Sequence, residues 1–158
     1  MTLTGEVYRG AVEYVPWASS EAIRKTMVGN KRRDTIPELA VRRLLHARGL
    51  RYRVDLAPLT GYRRRADVVF TRSKVAIFID GCFWHGCAIH YRVPGTNAGY
   101  WEPKIARNVE RDAETTVALI AAGWRVLRYW EHQKPVEIVD DIVRELAQHA
   151  PQMPSDDA

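Results

Sequence analysis

Lys74–Tyr91, KVAIFIDGCFWHGCAIHY, is the stretch on which the fold turns. Val75–Ile79 is an unbroken apolar run of the kind that fills a central strand. The run ends at Asp80-Gly81. The next residues, through His90, hold both cysteines of the chain, two of its five histidines and a Phe-Trp pair. A folding core needs no such density of reactive groups. The strand therefore reads as a platform, and the loop after it as the site.

Working outward, Ala66–Phe70 (ADVVF) is a second apolar strand, and Thr71–Lys74 has the length of a hairpin connection. Tyr52–Val54 is a short strand before it, followed by the loop Ala57–Arg65 with Arg63-Arg64-Arg65. Thr35 is an N-cap with Pro37 in the first turn and Glu38 as capping-box partner. Leu39, Val41, Leu44, Leu45 and Leu50 form the apolar stripe of that helix, and Gly49 stops it. Downstream, Pro94–Gly99 is a loop and Tyr100–Ala122 the longest helix. Its inward face is expected to carry Ile105, Val109, Ala113, Val117 and Ile120, with Lys104, Asn108 and Arg111 on another face. Trp124–Trp130 is a further buried strand. Val136–His149 is a closing helix with Ile138, Ile142, Val143 and Leu146 inward. Nearer the start, Ser19 or Ser20 caps a short helix over Glu21–Val28, and Gly29–Asp34 is a basic turn. The division expected is a loosely ordered arm over 1–18, one domain over 19–150 and a frayed tail over 151–158. Helix, three strands, helix, strand, helix is a mixed α/β layer structure.

A chain of 158 residues can close a single core. Its 46% apolar and 27% charged residues are ordinary for a globular protein. The net charge of +5 favours a polyanionic partner, nucleic acid before an acidic membrane surface, although a merely basic enzyme would look the same. No apolar run approaches the ~20 residues of a membrane span, and the first residues lack the pattern of a secretory signal. A reducing cytoplasm is the expected setting, where paired cysteines with interleaved histidines suggest metal rather than a disulfide.

Two constellations carry chemistry. Cys82-x4-Cys87-x2-His90, with His132 as the fourth ligand, is a soft donor set that selects Zn²⁺ in a closed structural site. Asp67, an acid inside a β-branched strand, is unfavourable there unless paired or holding a metal. Asp67 and Asp80 on adjacent strands suit Mg²⁺ bound with substrate phosphate, and His85 can take a proton from water or give one to a leaving oxygen. Plainer roles stand beside these. Glu38 has its capping job, Asp80-Gly81 is a common turn pair, and a lone strand-end histidine such as His132 is more often no ligand. Aromatics such as Phe83, Trp84 and Tyr100-Trp101 are usually core. Flanked by Arg63–Arg65, Lys104, Arg107 and Arg111, they also fit a wedge between base pairs.

GCFWHGC continues through Tyr91, Pro94, Asn97, Tyr100-Trp101, Lys104-Ile105, Asn108-Val109, Arg111-Asp112 and Gly123–Leu127 to Trp130-Glu131. In this order the motifs closely resemble the very short patch repair (Vsr) DNA mismatch endonucleases, over residues 19–147. The resemblance implies a restriction-endonuclease-like mixed β-sheet flanked by helices, with a structural zinc. It implies a Mg²⁺-dependent enzyme that nicks one strand 5′ of the thymine in a T·G mismatch left by deamination of 5-methylcytosine. On the same ground Asp67 is expected to bind metal, His85 to be the catalytic histidine and Glu38 to belong to the active site. Phe83, Trp84 and Trp101 fall at the intercalating aromatics, Lys104 and Asn108 at the mismatch contacts, and Cys82 at a zinc ligand.

The chain also departs from the family. Asp80 stands where some members have histidine, and His132 where others have cysteine. Ala66 replaces a proline, and no lysine follows two residues after Asp80. The expected partner is T·G-mismatched duplex DNA, with other mismatch-repair proteins, for a nucleoid-associated monomer. Two rivals remain open: a sequence-specific nicking enzyme of a restriction system, and a zinc-stabilised module that binds DNA without cutting it.

Overall fold

In the computed structural model, which describes residues 33–95 and 98–149, the elements follow as α1 (Ile36–Ala47), β1 (Arg53–Leu56), β2 (Ala66–Phe70) and β3 (Val75–Asp80), then α2 (Ala98–Ala121), β4 (Arg125–Trp130) and α3 (Pro135–Gln148). The expected arm over 1–18, the helix over Glu21–Val28, most of the turn Gly29–Asp34 and the tail over 151–158 lie outside the described residues. Among the described residues, no helix is long and apolar enough to cross a membrane.

The four strands form one mixed sheet in the order β1-β2-β3-β4. β1 and β2 pair antiparallel, as do β2 and β3, while β3 and β4 are parallel. A tight hairpin over Thr71–Lys74 suffices for the antiparallel pair. A parallel pair needs a long crossover, and α2 supplies it.

Strand alternation divides the core into two layers. Val75, Ile77 and Ile79 join Val68, Phe70, Leu127 and Tyr129 against Val41 and Leu45 of α1 and Ile138, Val139 and Ile142 of α3. Ala76 and Phe78 face the other way, with Ala66, Val69 and Leu119 of α2. All six residues of β3 are buried. At about 1.5–3 kcal/mol for each fully buried aliphatic side chain, β3 is the strand least tolerant of change.

Local signals set the ends of α1. The Thr35 hydroxyl accepts from Glu38 N–H at 3.4 Å and donates to Glu38 Oε1 at 3.0 Å, while Glu38 Oε2 accepts from Asp34 N–H at 2.9 Å. The capping box is therefore present, with its return arm one residue earlier than in the usual form. At the other end Gly49 takes φ 79°, and its N–H donates to His46 O while Leu50 N–H donates to Leu45 O. That pair of bonds is a Schellman stop.

The inward face of α2 differs from the one expected. Ile105, Thr115, Thr116 and Leu119 are buried, whereas Ala113, Val117 and Ile120 are exposed. A row read in steps of four rotates by about 40° per step, so by Val117 it has left the face of Ile105 by about 120°. The sheet-facing line admits two threonines instead, whose hydroxyls donate to Arg111 O and Asp112 O at 2.7 and 2.9 Å.

Candidate active site and metal centre

The parallel strands β3 and β4 end side by side, with Asp80 opposite Trp130. Glu131 N–H donates to Asp80 O at 2.9 Å, and the Glu131 carboxylate accepts from Cys82 N–H at 2.7 Å. The loop leaving β3 is folded on itself by His85 N–H to Gly81 O, Cys87 N–H to Cys82 O and Tyr91 N–H to Cys87 O. Gly86 has φ 65°, and a Cβ there would lie 3.1 Å from Val109 Cγ2. The loop therefore lies directly on α2, in a conformation that favours glycine. That single residue separates His85 from Cys87, and the two side chains go to different clusters.

Cys82, Cys87, His90 and His132 place one donor atom each within a group whose members all lie within 4.8 Å of one another. His132 Nδ1 is 3.0 Å from Cys82 Sγ and 3.1 Å from His90 Nδ1. His90 Nδ1 is 3.6 Å from Cys82 Sγ and 3.8 Å from Cys87 Sγ, and His132 Nδ1 is 4.0 Å from Cys87 Sγ. Bonds of about 2.0–2.3 Å to a tetrahedral centre require donor separations of roughly 3.3–3.8 Å, so this donor set can hold a metal. The cysteines are free thiols. Burial, followed by the neighbouring Cys87, pushes the Cys82 thiol well up in the metal-free protein. Burial, followed by His90, pulls the His132 imidazolium down, which keeps the ring neutral as a ligand must be.

The second cluster is Asp80, His85 and Asp112, also within 4.8 Å of one another. His85 Nδ1 lies 2.5 Å from Asp112 Oδ2 and 3.6 Å from Asp80 Oδ1. Burial lowers the His85 imidazolium, but its bond to Asp112 and the charges of Asp80 and Asp112 outweigh this, and the net direction is up. Asp80 is buried, and its Oδ2 accepts from Arg128 Nη1 at 2.6 Å.

Asp67 stands outside that tight group. Its Oδ2 accepts from Ile79 N–H at 2.6 Å. Burial first, then the charge of Glu38 and more weakly that of Asp80, raise its carboxyl to about 7. Asp80, expected beside Asp67 as a magnesium ligand, instead has an arginine as a direct partner. A carboxylate as enclosed as Asp80 requires a countercharge, and an arginine supplies it. Neither Asp112 nor Arg128 was singled out as a site residue from the sequence.

The aromatics form a shelf beside this cluster. The Phe83 ring is 5.2 Å from Trp84, 5.6 Å from Trp101 and 5.9 Å from Tyr91, and Trp84 is 5.7 Å from Trp101. Phe83, Trp84 and Trp101 are half-buried. Lys104 Nζ lies 5.3–5.6 Å from the rings of Trp101, Tyr100 and Trp84. Asn108 Nδ2 donates to Trp84 O at 2.9 Å, and its Oδ1 accepts from Arg111. The five residues expected to touch DNA are therefore contiguous. Of the basic run before β2, Arg65 is paired with Asp55 at 3.0 Å.

Residues 19–90 match the family described as DNA mismatch endonuclease Vsr. The type II nicking enzyme V.NaeI of Lentzea aerocolonigenes is 50% identical over 121 residues, which cover 75% of this chain and 73% of that protein. The type II nicking enzyme V.NmeDIP of Neisseria meningitidis serogroup C is 42% identical over 115 residues, covering 71% and 75%. The DNA mismatch endonuclease Vsr of Escherichia coli (strain K12) is 41% identical over 109 residues, covering 68% and 67%.

Proposed function

Because the chain belongs to the DNA mismatch endonuclease Vsr family and is a DNA-cutting nuclease, we propose that it nicks one strand of duplex DNA 5′ of the thymine at a T·G mismatch. The observation that carries this reading is the His85–Asp112 contact, with Asp67 nearby and the aromatic shelf alongside. The mixed sheet, with reactive groups at the ends of β2 and β3, supports a restriction-endonuclease-like architecture.

His85 Nδ1–H donates to Asp112 Oδ2, which fixes the tautomer and leaves Nε2 as the acceptor. A water oxygen bonds to phosphorus as the bond to the leaving 3′ oxygen breaks, and the water proton passes to His85 Nε2. Asp67 fits a hard divalent cation, since the charges of Glu38 and Asp80 that raise its carboxyl are relieved by one. Asp67 would hold Mg²⁺, which supplies charge neutralisation at the scissile phosphate and the leaving oxygen. Cys82, Cys87, His90 and His132 would hold zinc as a clamp between the loop and β4, away from the chemistry. Phe83, Trp84 and Trp101 wedge into the duplex, and Lys104 and Asn108 contact the mismatch.

A second reading has its own support: V.NaeI and V.NmeDIP carry the name of type II nicking enzymes. On that reading the chain nicks within a short sequence recognised by a restriction system. Nicking assays on duplexes with and without a T·G mismatch, in varied flanking sequence and with or without Mg²⁺, separate the two. Mismatch-dependent nicking in many contexts supports the first. Nicking restricted to one short sequence supports the second, and equal cutting of matched DNA removes mismatch recognition.

A further inference from the structure

Arg128 is the most enclosed charged side chain among the described residues, 2% exposed in the middle of an apolar strand. Burying an arginine is unfavourable unless its charge and its donors are matched. Alternation along β4 sends it, two residues after Val126, to the α2 side of the sheet. There each guanidinium nitrogen meets a different partner. Nε donates to Thr116 Oγ1 at 3.2 Å, Nη1 to Asp80 Oδ2 at 2.6 Å and Nη2 to Asp112 Oδ1 at 3.5 Å. The guanidinium carbon also lies 4.3 Å from the centre of the Phe78 ring.

A guanidinium is a rigid plane, so fixing two of its nitrogens fixes the third. Asp80 and Thr116 hold the plane, and its remaining corner meets Asp112. The other oxygen of Asp112 is the one bonded to His85. We infer that Asp80 and Arg128 are a positioning pair for the His85–Asp112 dyad, with Arg128 orienting the Asp112 carboxylate so that Oδ2 meets His85 Nδ1. The inference rests on the reading of His85 as the base. It gives Asp80 a role other than metal ligand, because a divalent cation at Asp80 would sit against the Arg128 charge.

Single-turnover nicking of T·G-mismatched duplex at saturating enzyme tests it. Arg128→Lys keeps the charge and loses the fork. The cleavage rate constant should fall ~10–100-fold, with duplex affinity and the Mg²⁺ concentration for half-maximal rate unchanged. Asp80→Asn should show the same split. A lower melting temperature with an unchanged rate per folded molecule would make Arg128 merely structural and overturn the inference. A rise of about tenfold or more in half-saturating Mg²⁺ for Asp80→Asn would make Asp80 a ligand, and equally overturn it.

His85→Ala separates this inference from the reading beneath it. Adding Arg128→Lys to His85→Ala should slow residual nicking no further, since both act through one imidazole. Equal slowing in both backgrounds sinks the positioning role. His85→Ala nicking at the wild-type rate sinks the base reading instead. In that case nitrogen NMR of the His85 ring still decides whether it is positioned. The Nδ1–H tautomer should dominate in the wild type and give way to a mixture in Arg128→Lys, and a variant that keeps it pure contradicts us.

Discussion

The two clusters that follow β3 draw on the same short stretch, Asp80–His90, yet they are finished in opposite ways. Cys82, Cys87, His90 and His132 set two thiols and two imidazoles together, and the fixed charge at their edge, the Glu131 carboxylate on Cys82 N–H, is negative. Asp80, His85 and Asp112 are as close to one another, but Arg128 already lies between the two acids. The first group could hold a metal; the second contains its own cation. Closeness of potential ligands is therefore a poor sign of a metal site until the nearby fixed charges are counted.

Substitutions at the two clusters should separate chemistry from scaffold. His85→Ala is expected to lower single-turnover nicking by ~10²–10⁴-fold while thermal unfolding stays where it was. A matching loss of stability would blur the division. Cys82→Ser should do the reverse, lowering stability in urea unfolding by about 3 kcal/mol or more, with nicking lost in step with folded protein. A stable but inactive Cys82→Ser protein would bring the metal into the chemistry.

A smaller effect concerns Asp67, whose carboxyl is lifted from its ordinary 3.8 to about 7 by burial and then by Glu38. The folded chain thus binds a proton that the unfolded chain releases at lower pH. That contribution is fully present below pH 4 and is lost as pH rises through about 7. In magnesium-free buffer, Asp67→Asn should be more stable than the wild type above pH 7, by on the order of 2 kcal/mol. The gap should close toward pH 4 in urea midpoints, and a gap independent of pH would refute the raised carboxyl of Asp67. The smallest effect lies outside both clusters. Thr35→Ala removes the α1 cap and should lower stability by about 1 kcal/mol, leaving the nicking rate per folded molecule untouched.

Features governed by neighbours in sequence were legible in advance. The cap at Thr35, the stop at Gly49, the hairpin at Thr71–Lys74 and the order of elements all follow from residues a few positions apart. Cys82, Cys87 and His90 share one loop, and their type and spacing made them candidates before any fold was known. Asp112 and Arg128 are different, because their partners lie 27 and 48 residues away. Asp112 sits in a helix rich in surface charge and has no local mark. Arg128 did carry one: it interrupts Val126-Leu127 and Tyr129-Trp130, the same signal that drew attention to Asp67. The α2 face was misread because its threonines are buried by bonding back to their own helix, which composition alone does not reveal.

The parallel pairing of β3 with β4 has a further consequence, in the order of assembly. Asp80 reaches Arg128 across 48 residues, Cys82 reaches Glu131 across 49 and His132 across 50. These contacts close one and the same loop of chain. The entropy of that closure is lost once, and each contact after the first forms with little added loss. Such non-local closure is a slow event in folding. A chain still being synthesised can therefore assemble the Asp80–Arg128–Asp112 network only once residues through Arg128 have left the ribosome, and the Cys/His cluster only once His132 has followed.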